Sequence, residues 1–396
     1  MTSLVIERSD EIGDIWKKRY EYLSLHFPHW ADDLPYFAYP KHWPTYTPAQ
    51  KQGYYMQWYA SALELDVWCQ SEVQKATQDD QGNWTVTINR RRGSEIRTLH
   101  PTHVVMATSL CGVPYTPSIP GMADFKGGII RHSTAHDSSR DFVGKKVCVV
   151  GTSSSGFDTA FDCSRRGVDV TLLQRSPTYV MSLTHSVPRI LGGYAPSTSG
   201  RRPNLEDQDR LFFSMPTGPG EELGRRNAEA LEDLDRPLLD GLNARGLRTW
   251  RGQRGTGNAT LGQTRNGGFY FDAGACEHII NGKIKVEAGY ISEFTSDKVI
   301  LNGGREREFD LVVFATGFSN TIDSVRATLG DEVADRCRPI WGVDEEGEMK
   351  TAHRETGVPN FWISVGFLPY ARFHSKLLAM RLKSLKEGVF DRPYRG

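Results

Sequence analysis

The chain has 396 residues, whose 48 acidic and 48 basic side chains cancel to a formal net charge of zero. That length is enough for two domains with their own cores, and the balance argues against a nucleic-acid partner or an anionic membrane surface. Six scattered cysteines form no C-x-x-C pair and no zinc spacing, which argues against a dithiol redox centre or a metal site and points to a reducing, cytoplasmic setting. Residues Met1–Arg8 carry charge too early for a signal peptide, and no apolar run reaches the roughly 18 residues of a membrane span.

In chain order, Leu4-Val5-Ile6-Glu7 reads as a buried strand ending in an acid, the residue type that holds the ribose of a dinucleotide. A glycine-rich phosphate loop belongs about 20 residues before such an acid, yet Glu7 lies almost at the start. The chain therefore opens at what is the second strand of a dinucleotide-binding unit. Gln52–Leu65 predicts a helix with Tyr55, Tyr59, Ala62 and Leu63 on one stripe. Trp84–Asn89 alternates as a half-buried strand, Arg91–Ser94 marks a turn, and Val104–Thr108 is a buried strand. Pro114, Pro117, Pro120 and Gly121 make a hinge-like stretch.

The most informative stretch follows. Val147-Cys148-Val149-Val150 suits a strand buried on both faces. It runs into the turn Gly151-Thr152-Ser153-Ser154-Ser155-Gly156, a helix from Phe157 to Arg166, a break at Gly167, and a second strand, Val168–Leu173. This is half of a βαβ dinucleotide fold. Its turn sets backbone N–H groups at a helix N-terminus, where a pyrophosphate sits. The second strand leads to Arg175 rather than to an acid, and a guanidinium there suits the 2′-phosphate of NADP. Candidate NADP-binding residues are Gly151, Thr152, Ser153, Ser155, Gly156, Arg175 and Ser176. Ser153 replaces the glycine that normally lets the backbone approach the pyrophosphate, so it either donates a hydrogen bond there or crowds the site.

Residues 185–268 are harder to read. Gly192-Gly193, the 200–203 segment and 251–268 read as loops. Leu223, Leu231, Leu234, Leu238 and Leu242 recur at helical spacing, interrupted at Pro237, and read as core. Further on, Ile284–Val286 and Val299–Leu301 are strands, Asn302-Gly303 is a turn, and Phe309–Phe314 is a buried strand leading into Ala315-Thr316-Gly317. A closing helix is expected over Ser375–Lys386, with Ser375 as N-cap or as a ligand-proximal residue.

Several of these segments resemble flavin-containing monooxygenases. Glu7 followed by Gly13-Asp14-Ile15-Trp16 is similar to that family's E-x5-G-G-x-W, with Asp14 at the second glycine. Ala107-Thr108-Ser109 and Ala315-Thr316-Gly317 resemble its two A-T-G segments. Phe125-Lys126-Gly127 with His132 resembles F-x-G-x-x-x-H with one inserted residue, and Gln174–Tyr179 reads Q-R-S-P-T-Y. The resemblance implies an α/β fold of two Rossmann-like dinucleotide-binding domains, the NADPH domain inserted into an FAD domain whose first strand–loop–helix is missing. The implied boundaries are 1–110 for the first FAD part, 111–143 for the inter-domain hinge, 144–309 for the NADPH domain with a substrate-side insertion at 185–268, and 310–396 for the second FAD part.

Residues implied in FAD binding are Glu7, Gly13, Trp16, Arg19, Val73, Thr316 and Gly317. Phe125, Gly127 and His132 form the hinge motif, which sets NADPH geometry and domain movement. The implied cofactors are FAD and NADPH. The implied reaction is hydride transfer from NADPH to flavin and then oxygenation by O₂, either of a small organic substrate at nitrogen or sulfur or by Baeyer–Villiger insertion, in specialised metabolism. Because the flavin carries the chemistry, no catalytic side chain and no metal site are assigned. Two explanations of the opening stretch stand: a displaced or truncated start of such an enzyme, or a non-catalytic NADP-binding remnant serving as a binding or scaffold protein.

Overall fold

A computed structural model describes residues 1–389; the stretch 390–396, counted above in the second FAD part, lies outside the described residues. The chain begins with β1 (Val5–Ile6), α1 (Asp14–Lys17), β2 (Ser24–Pro28), β3 (Tyr46–Pro48), α2 (Ala49–Ala62) and β4 (Val67–Trp68). A meander follows, β5 (Ser71–Gln78), β6 (Trp84–Arg90) and β7 (Glu95–Leu99), then β8 (Val104–Met106) and β9 (Ile129–His132). The central unit is β10 (Lys146–Val150), α3 (Ser154–Arg165) and β11 (Asp169–Gln174). Next come β12 (Tyr179–Ser182), α4 (Leu183–Leu191), α5 (Leu205–Phe213), α6 (Thr217–Leu234), α7 (Arg236–Ala244), α8 (Asn258–Thr264), β13 (Phe269–Asp272), α9 (Ala275–Ile280) and β14 (Ile284–Ala288). The last part holds β15 (Ile291–Phe294), β16 (Val299–Leu301), β17 (Arg305–Arg307), β18 (Leu311–Phe314), α10 (Thr321–Leu329), α11 (Asp331–Arg336), β19 (Phe361–Ile363) and α12 (Leu368–Lys386). No helix among the described residues is long and apolar enough to cross a membrane.

The main sheet is parallel, in the order β14-β11-β10-β18-β9. Continuous apolar runs form it because helices and loops cover both faces. Val147, Val149, Val170, Leu172, Leu311 and Val313 are all fully buried against α3 and α9. Each such side chain contributes about 1.5–3 kcal/mol of apolar burial. The sheet draws strands from beyond the expected limits 144–309: β9 comes from the hinge stretch and β18 from the segment after residue 310. The reason is register, since Val147–Val150 pair with Leu311–Phe314, and Leu311–Phe314 pair in turn with Ile129–His132.

The other half is built differently. Among the described residues β1 pairs only with β4, and β8 only with β19, each in parallel. The expectation of buried strands at Leu4–Glu7 and Val104–Thr108 is corrected here. Val5 is 47% exposed and Val105 42% exposed, because each strand has a partner on one side only. A second core lies beneath, where Trp84, Ile88, Met106, Val325, Phe361 and Ile363 pack together.

Other expectations shift. The first long helix begins at Ala49 rather than Gln52, and its buried face is Ala49, Gln52, Gly53, Tyr55 and Ala60; Ala62 is exposed. Gly13 and Gly53 let α2 approach α1, since a Cβ on Gly13 would lie 2.3 Å from the Gly53 carbonyl oxygen and one on Gly53 would lie 2.9 Å from the Gly13 carbonyl oxygen. The leucine stripe splits into α6 and α7 at Pro237, which sits in the first turn of α7, where its missing N–H costs nothing. Leu231 and Leu242 are core, whereas Leu223 and Leu234 are exposed. The presumed loop 251–268 contains α8. The closing helix starts at Leu368, with Pro369 in its first turn. Ser375 is therefore mid-helix and not an N-cap, and its hydroxyl donates back to the Arg372 carbonyl.

Candidate functional site

The turn after β10 is shaped by its two glycines. Gly151 has φ +113°, a conformation few side chains tolerate, and a Cβ there would lie 2.5 Å from the Ala315 carbonyl oxygen. A Cβ on Gly156 would lie 1.9 Å from the Gly151 carbonyl oxygen. Among the described residues no side chain caps the N-terminus of α3; the Gly156 amide donates to the Ser153 carbonyl at 2.9 Å. Ser153 points elsewhere. Its hydroxyl donates to the Phe269 carbonyl at 3.3 Å and accepts from the Gly268 amide at 3.1 Å. The Ser153 hydroxyl thereby ties the turn to β13.

Thr178 braces the turn from below, donating to Thr152 at 2.7 Å. Ser155 lies half-buried in the first turn of α3. Arg175 and Ser176 are exposed just beyond β11. A second cation that the sequence did not single out stands beside them. Arg248 is anchored by its amide to Gln174 Oε1 (2.7 Å), and its guanidinium donates to the Arg175 carbonyl at 2.7 Å.

A cleft of about 3430 Å³ opens beside this turn, well above the roughly 300–1,000 Å³ of an ordinary small-molecule pocket. Glu7, Gly13, Trp16 and Val73 line it, as does Ser154 from the first turn of α3. Glu7 follows β1, and its carboxylate accepts the Ser9 amide at 2.6 Å. Gly13 is left-handed (φ +83°). Trp16 packs on Tyr20, Leu23 and Ala49. Asp14, in place of a second glycine, is buried and paired with Lys17 at 3.3 Å and Lys18 at 2.8 Å.

Arg19, Thr316 and Gly317 are not among the residues lining this cleft. Arg19 lies over the ring of Tyr20 at 5.3 Å. Thr316 and Gly317 follow β18, whose partner is β10, so they sit beside the phosphate turn; Thr316 donates to the Tyr115 carbonyl.

The hinge motif has a specific geometry. Phe125 meets Phe294 edge-on at 5.1 Å, and a Cβ on Gly127 would lie 2.3 Å from the Asp297 carbonyl oxygen. His132 ends β9. Its Nδ1 accepts the Thr134 amide at 3.2 Å, which places the proton on Nε2, facing the Gly317 carbonyl at 3.0 Å. Burial lowers its pKa, so the neutral ring fastens β9 to the segment after β18.

Two titratable groups, His26 and Asp32, stand on the cleft wall. His26 from β2 pairs with Asp158 of α3 at 3.2 Å. Burial opposes charge on His26, but the Asp158 carboxylate outweighs it and raises the pKa. Asp32 is 3% exposed and its Oδ1 has no hydrogen-bond partner. Burial pushes its pKa up to about 8, against the opposing pull of Arg372. Between the ordinary carboxylate value and about pH 8 the folded state therefore binds a proton that the unfolded state has lost. Stability falls as pH rises through this window, at about 1.4 kcal/mol per unit, and levels off above it. Asp32→Asn removes that slope, so its melting temperature relative to wild type should rise between pH 5 and pH 8. A constant difference across that range in calorimetry would contradict the assignment.

An aromatic wall closes the cleft. Phe27 meets Phe271 at 5.4 Å and Phe367 at 5.9 Å, and Phe213 meets Tyr370 at 5.7 Å, all edge-on.

Comparison with known proteins agrees with this architecture. Residues 3–189 match the family model "Pyridine nucleotide-disulphide oxidoreductase". The chain is 30% identical over 335 residues to indole-3-pyruvate monooxygenase YUCCA1 of Oryza sativa subsp. japonica, covering 83% of this chain and 73% of that protein. It is 28% identical over 326 residues to a probable indole-3-pyruvate monooxygenase, YUCCA1 of Arabidopsis thaliana, covering 81% of this chain and 70% of that protein. In fold it is similar to an open crystal structure of cyclohexanone monooxygenase, with a TM-score of 0.67 at 17% identity over 98% of this chain and 83% of that one. It is also similar to OTEMO in complex with FAD and NADP, with a TM-score of 0.64 at 17% identity over 97% and 81% of the two chains. With its phosphate turn, its parallel sheets and a relative at this identity over most of its length, the chain belongs to the flavin-containing monooxygenase superfamily.

Proposed function

We propose that the protein uses NADPH, FAD and O₂ to oxygenate a small, largely apolar organic substrate, at nitrogen or sulfur or by insertion beside a ketone carbonyl, in the reducing cytoplasm where its six free cysteines stay reduced. The observation that carries this reading is the glycine turn Gly151–Gly156 at the rim of a cleft that Glu7, Gly13, Trp16 and Val73 also line.

The NADP residues fit their group. Gly151 and Gly156 clear the backbone for the pyrophosphate, the α3 N-terminus receives its charge, and Arg175 with Arg248 offers two guanidiniums for the 2′-phosphate. The flavin side fits in part. Glu7 would hold the ribose, and Gly13, Trp16 and Val73 would line the nucleotide, but among the described residues no second glycine turn at a strand end lines the cleft. Bound flavin supplies hydride acceptance and oxygen activation. The chain's own residues act around it. The His26–Asp158 pair joins the nucleotide helix to the cleft, His132 fixes the backbone at Gly317, and the aromatic wall lines the substrate side.

The test is NADPH-dependent O₂ uptake by the full chain with added FAD, using small sulfides, amines and ketones as substrates. Uptake that needs NADPH, with oxygen recovered in one of the products, supports the reading. NADPH bound tightly without any O₂ uptake or flavin reduction would overturn it.

A further inference from the structure

Two helices of the 185–268 region bring polar side chains to the cleft that the account so far leaves without a task. α6 and α8 pack closely, since a Cβ on Gly224 would lie 3.0 Å from the Thr256 carbonyl oxygen and 3.2 Å from the Ala259 side chain. Ala228 of α6 and Leu261 of α8 share one apolar cluster with Met181 and Phe271. Along α6 the cleft meets Gly220, Gly224, Asn227 and Leu231, at the three- and four-residue spacing of one helix face. Along α8 it meets Asn258, Ala259, Gly262 and Gln263. Three carboxamides, Asn227, Asn258 and Gln263, therefore line the cleft among small and apolar neighbours.

Each of the three is half-buried, and among the described residues none of their side chains has a hydrogen-bond partner. A carboxamide carries two donors and an acceptor, and holding these unpaired against apolar surface is unfavourable until a ligand or water answers them. The one charge that α6 and α8 bring to the cleft, Glu221, is paired with Arg225 and Arg254, so this wall is neutral. Two bonds tie it to the segment after α11. The Trp341 indole N–H donates to the Gly262 carbonyl at 3.0 Å, and the Thr217 hydroxyl donates to the Gly347 carbonyl. Trp341 also meets Tyr370 at 5.7 Å, which joins the carboxamides to the aromatic wall. At its other end α8 leads into β13, whose Phe269 carbonyl accepts from Ser153 of the phosphate turn.

We propose that Asn227, Asn258 and Gln263 form the polar end of the substrate site and receive a neutral amide group of the substrate, whose apolar body lies against the aromatic wall. The assignment rests on the oxygenation reading above and names the substrate class within it. An amide sets an acceptor beside an N–H, so it pairs with a carboxamide through both. A carboxylate finds no cation on the cleft face of α6 or α8, and an alkylammonium finds only the carboxylate of Glu221, already paired. A hydrocarbon leaves all three carboxamides unanswered. A site built to hydrogen-bond one substrate group rejects analogues that lack it, because its own polar groups are then left unpaired.

The test uses the full chain and three probes with one thioether body: para-(methylthio)benzamide, para-(methylthio)benzoate and thioanisole. In titration calorimetry the benzamide should bind about tenfold or more tighter than either of the others. Asn227→Leu and Gln263→Leu keep the side-chain bulk and remove the polar atoms. Each should weaken the benzamide about fivefold or more, the worth of one hydrogen bond, while NADPH affinity and the urea midpoint stay at their wild-type values. No measurable benzamide binding, equal affinity for benzamide and benzoate, or a benzamide preference that survives both substitutions overturns the assignment. Weakened NADPH binding at an unchanged urea midpoint also overturns it, in favour of the nicotinamide carboxamide as the group received. None of these readouts needs turnover. Oxygenation of thioanisole without a benzamide preference removes the amide site and keeps the proposed activity, and a benzamide preference without O₂ uptake does the reverse.

Discussion

Gly156→Ala should severely weaken NADPH binding. The added Cβ would lie 1.9 Å from the Gly151 carbonyl oxygen, with the Ala315 side chain behind it at 3.6 Å. The carbonyl is backbone and cannot swing aside as a flexible side chain would, whereas the Ala315 side chain is at ordinary contact distance. Either α3 lifts off β10 or the turn opens, and both outcomes move the amides that receive the pyrophosphate. We expect NADPH affinity to fall by about 100-fold or more, with about 1–3 kcal/mol of stability lost to overpacking. Gly218→Ala is the control, since Gly218 lies in α6 with nothing near its Cβ position, and it should leave affinity unchanged. Titration calorimetry and urea unfolding measure both quantities, and a Gly156→Ala affinity within twofold of wild type would refute the close-approach argument.

The second large effect concerns a residue far from the turn. Arg372 of α12 is 4% exposed. Its Nε and Nη2 donate to the two oxygens of Asp209 on α5 at 2.8 and 2.6 Å, and its Nη1 donates to the Ala31 and Asp33 carbonyls at 2.7 and 2.6 Å. One guanidinium thus joins α12, α5 and the segment after β2. Burial opposes its charge, but Asp209 prevails and raises its pKa. Arg372→Ala leaves two buried carbonyls without the donor they have here and leaves the buried Asp209 carboxylate uncompensated, with the Tyr194 hydroxyl as its remaining donor. Breaking such a pair from one side costs about 3–5 kcal/mol, a large fraction of a typical domain's stability. A shift in the denaturation midpoint worth less than about 1 kcal/mol would show that water replaces the guanidinium easily. Arg372→Lys should recover little, because an ammonium cannot reproduce the fork.

What the sequence made legible was local. Val147–Leu173 could be read almost residue by residue, because a buried parallel strand, a phosphate turn and a helix each leave a short-range pattern. The glycines gave away the turn, and Arg175 could be placed by counting from the end of β11. Features that depend on chain segments far apart could not be read this way. His26 meets Asp158, and Arg372 meets Asp209, across separations that periodicity does not register. The exposure of Val5 and Val105 depends on a neighbour being absent, and an apolar run looks the same with one partner or two. The bond from the Gly268 amide to the Ser153 hydroxyl was likewise invisible, because a hydroxyl in such a turn suits a phosphate equally well. The tripeptide holding Thr316 and Gly317 was legible, but its neighbour, β10, followed only from the register of β18. In the 185–268 region, the break at Pro237 was visible, while α8, with Gly262 inside it, resembled a loop.

The central claim is that Gly151–Gly156 and Arg175 make an NADP site. The most direct measurement is the affinity of the wild-type chain and of Arg175→Ala for NADPH and NADH, by titration calorimetry at fixed salt. A charge-assisted contact to the 2′-phosphate is worth about 1.5–3 kcal/mol. The account therefore predicts that wild type prefers NADPH and that Arg175→Ala loses about tenfold or more for NADPH but less than twofold for NADH. Equal losses for the two nucleotides, or a wild type indifferent between them, would contradict it.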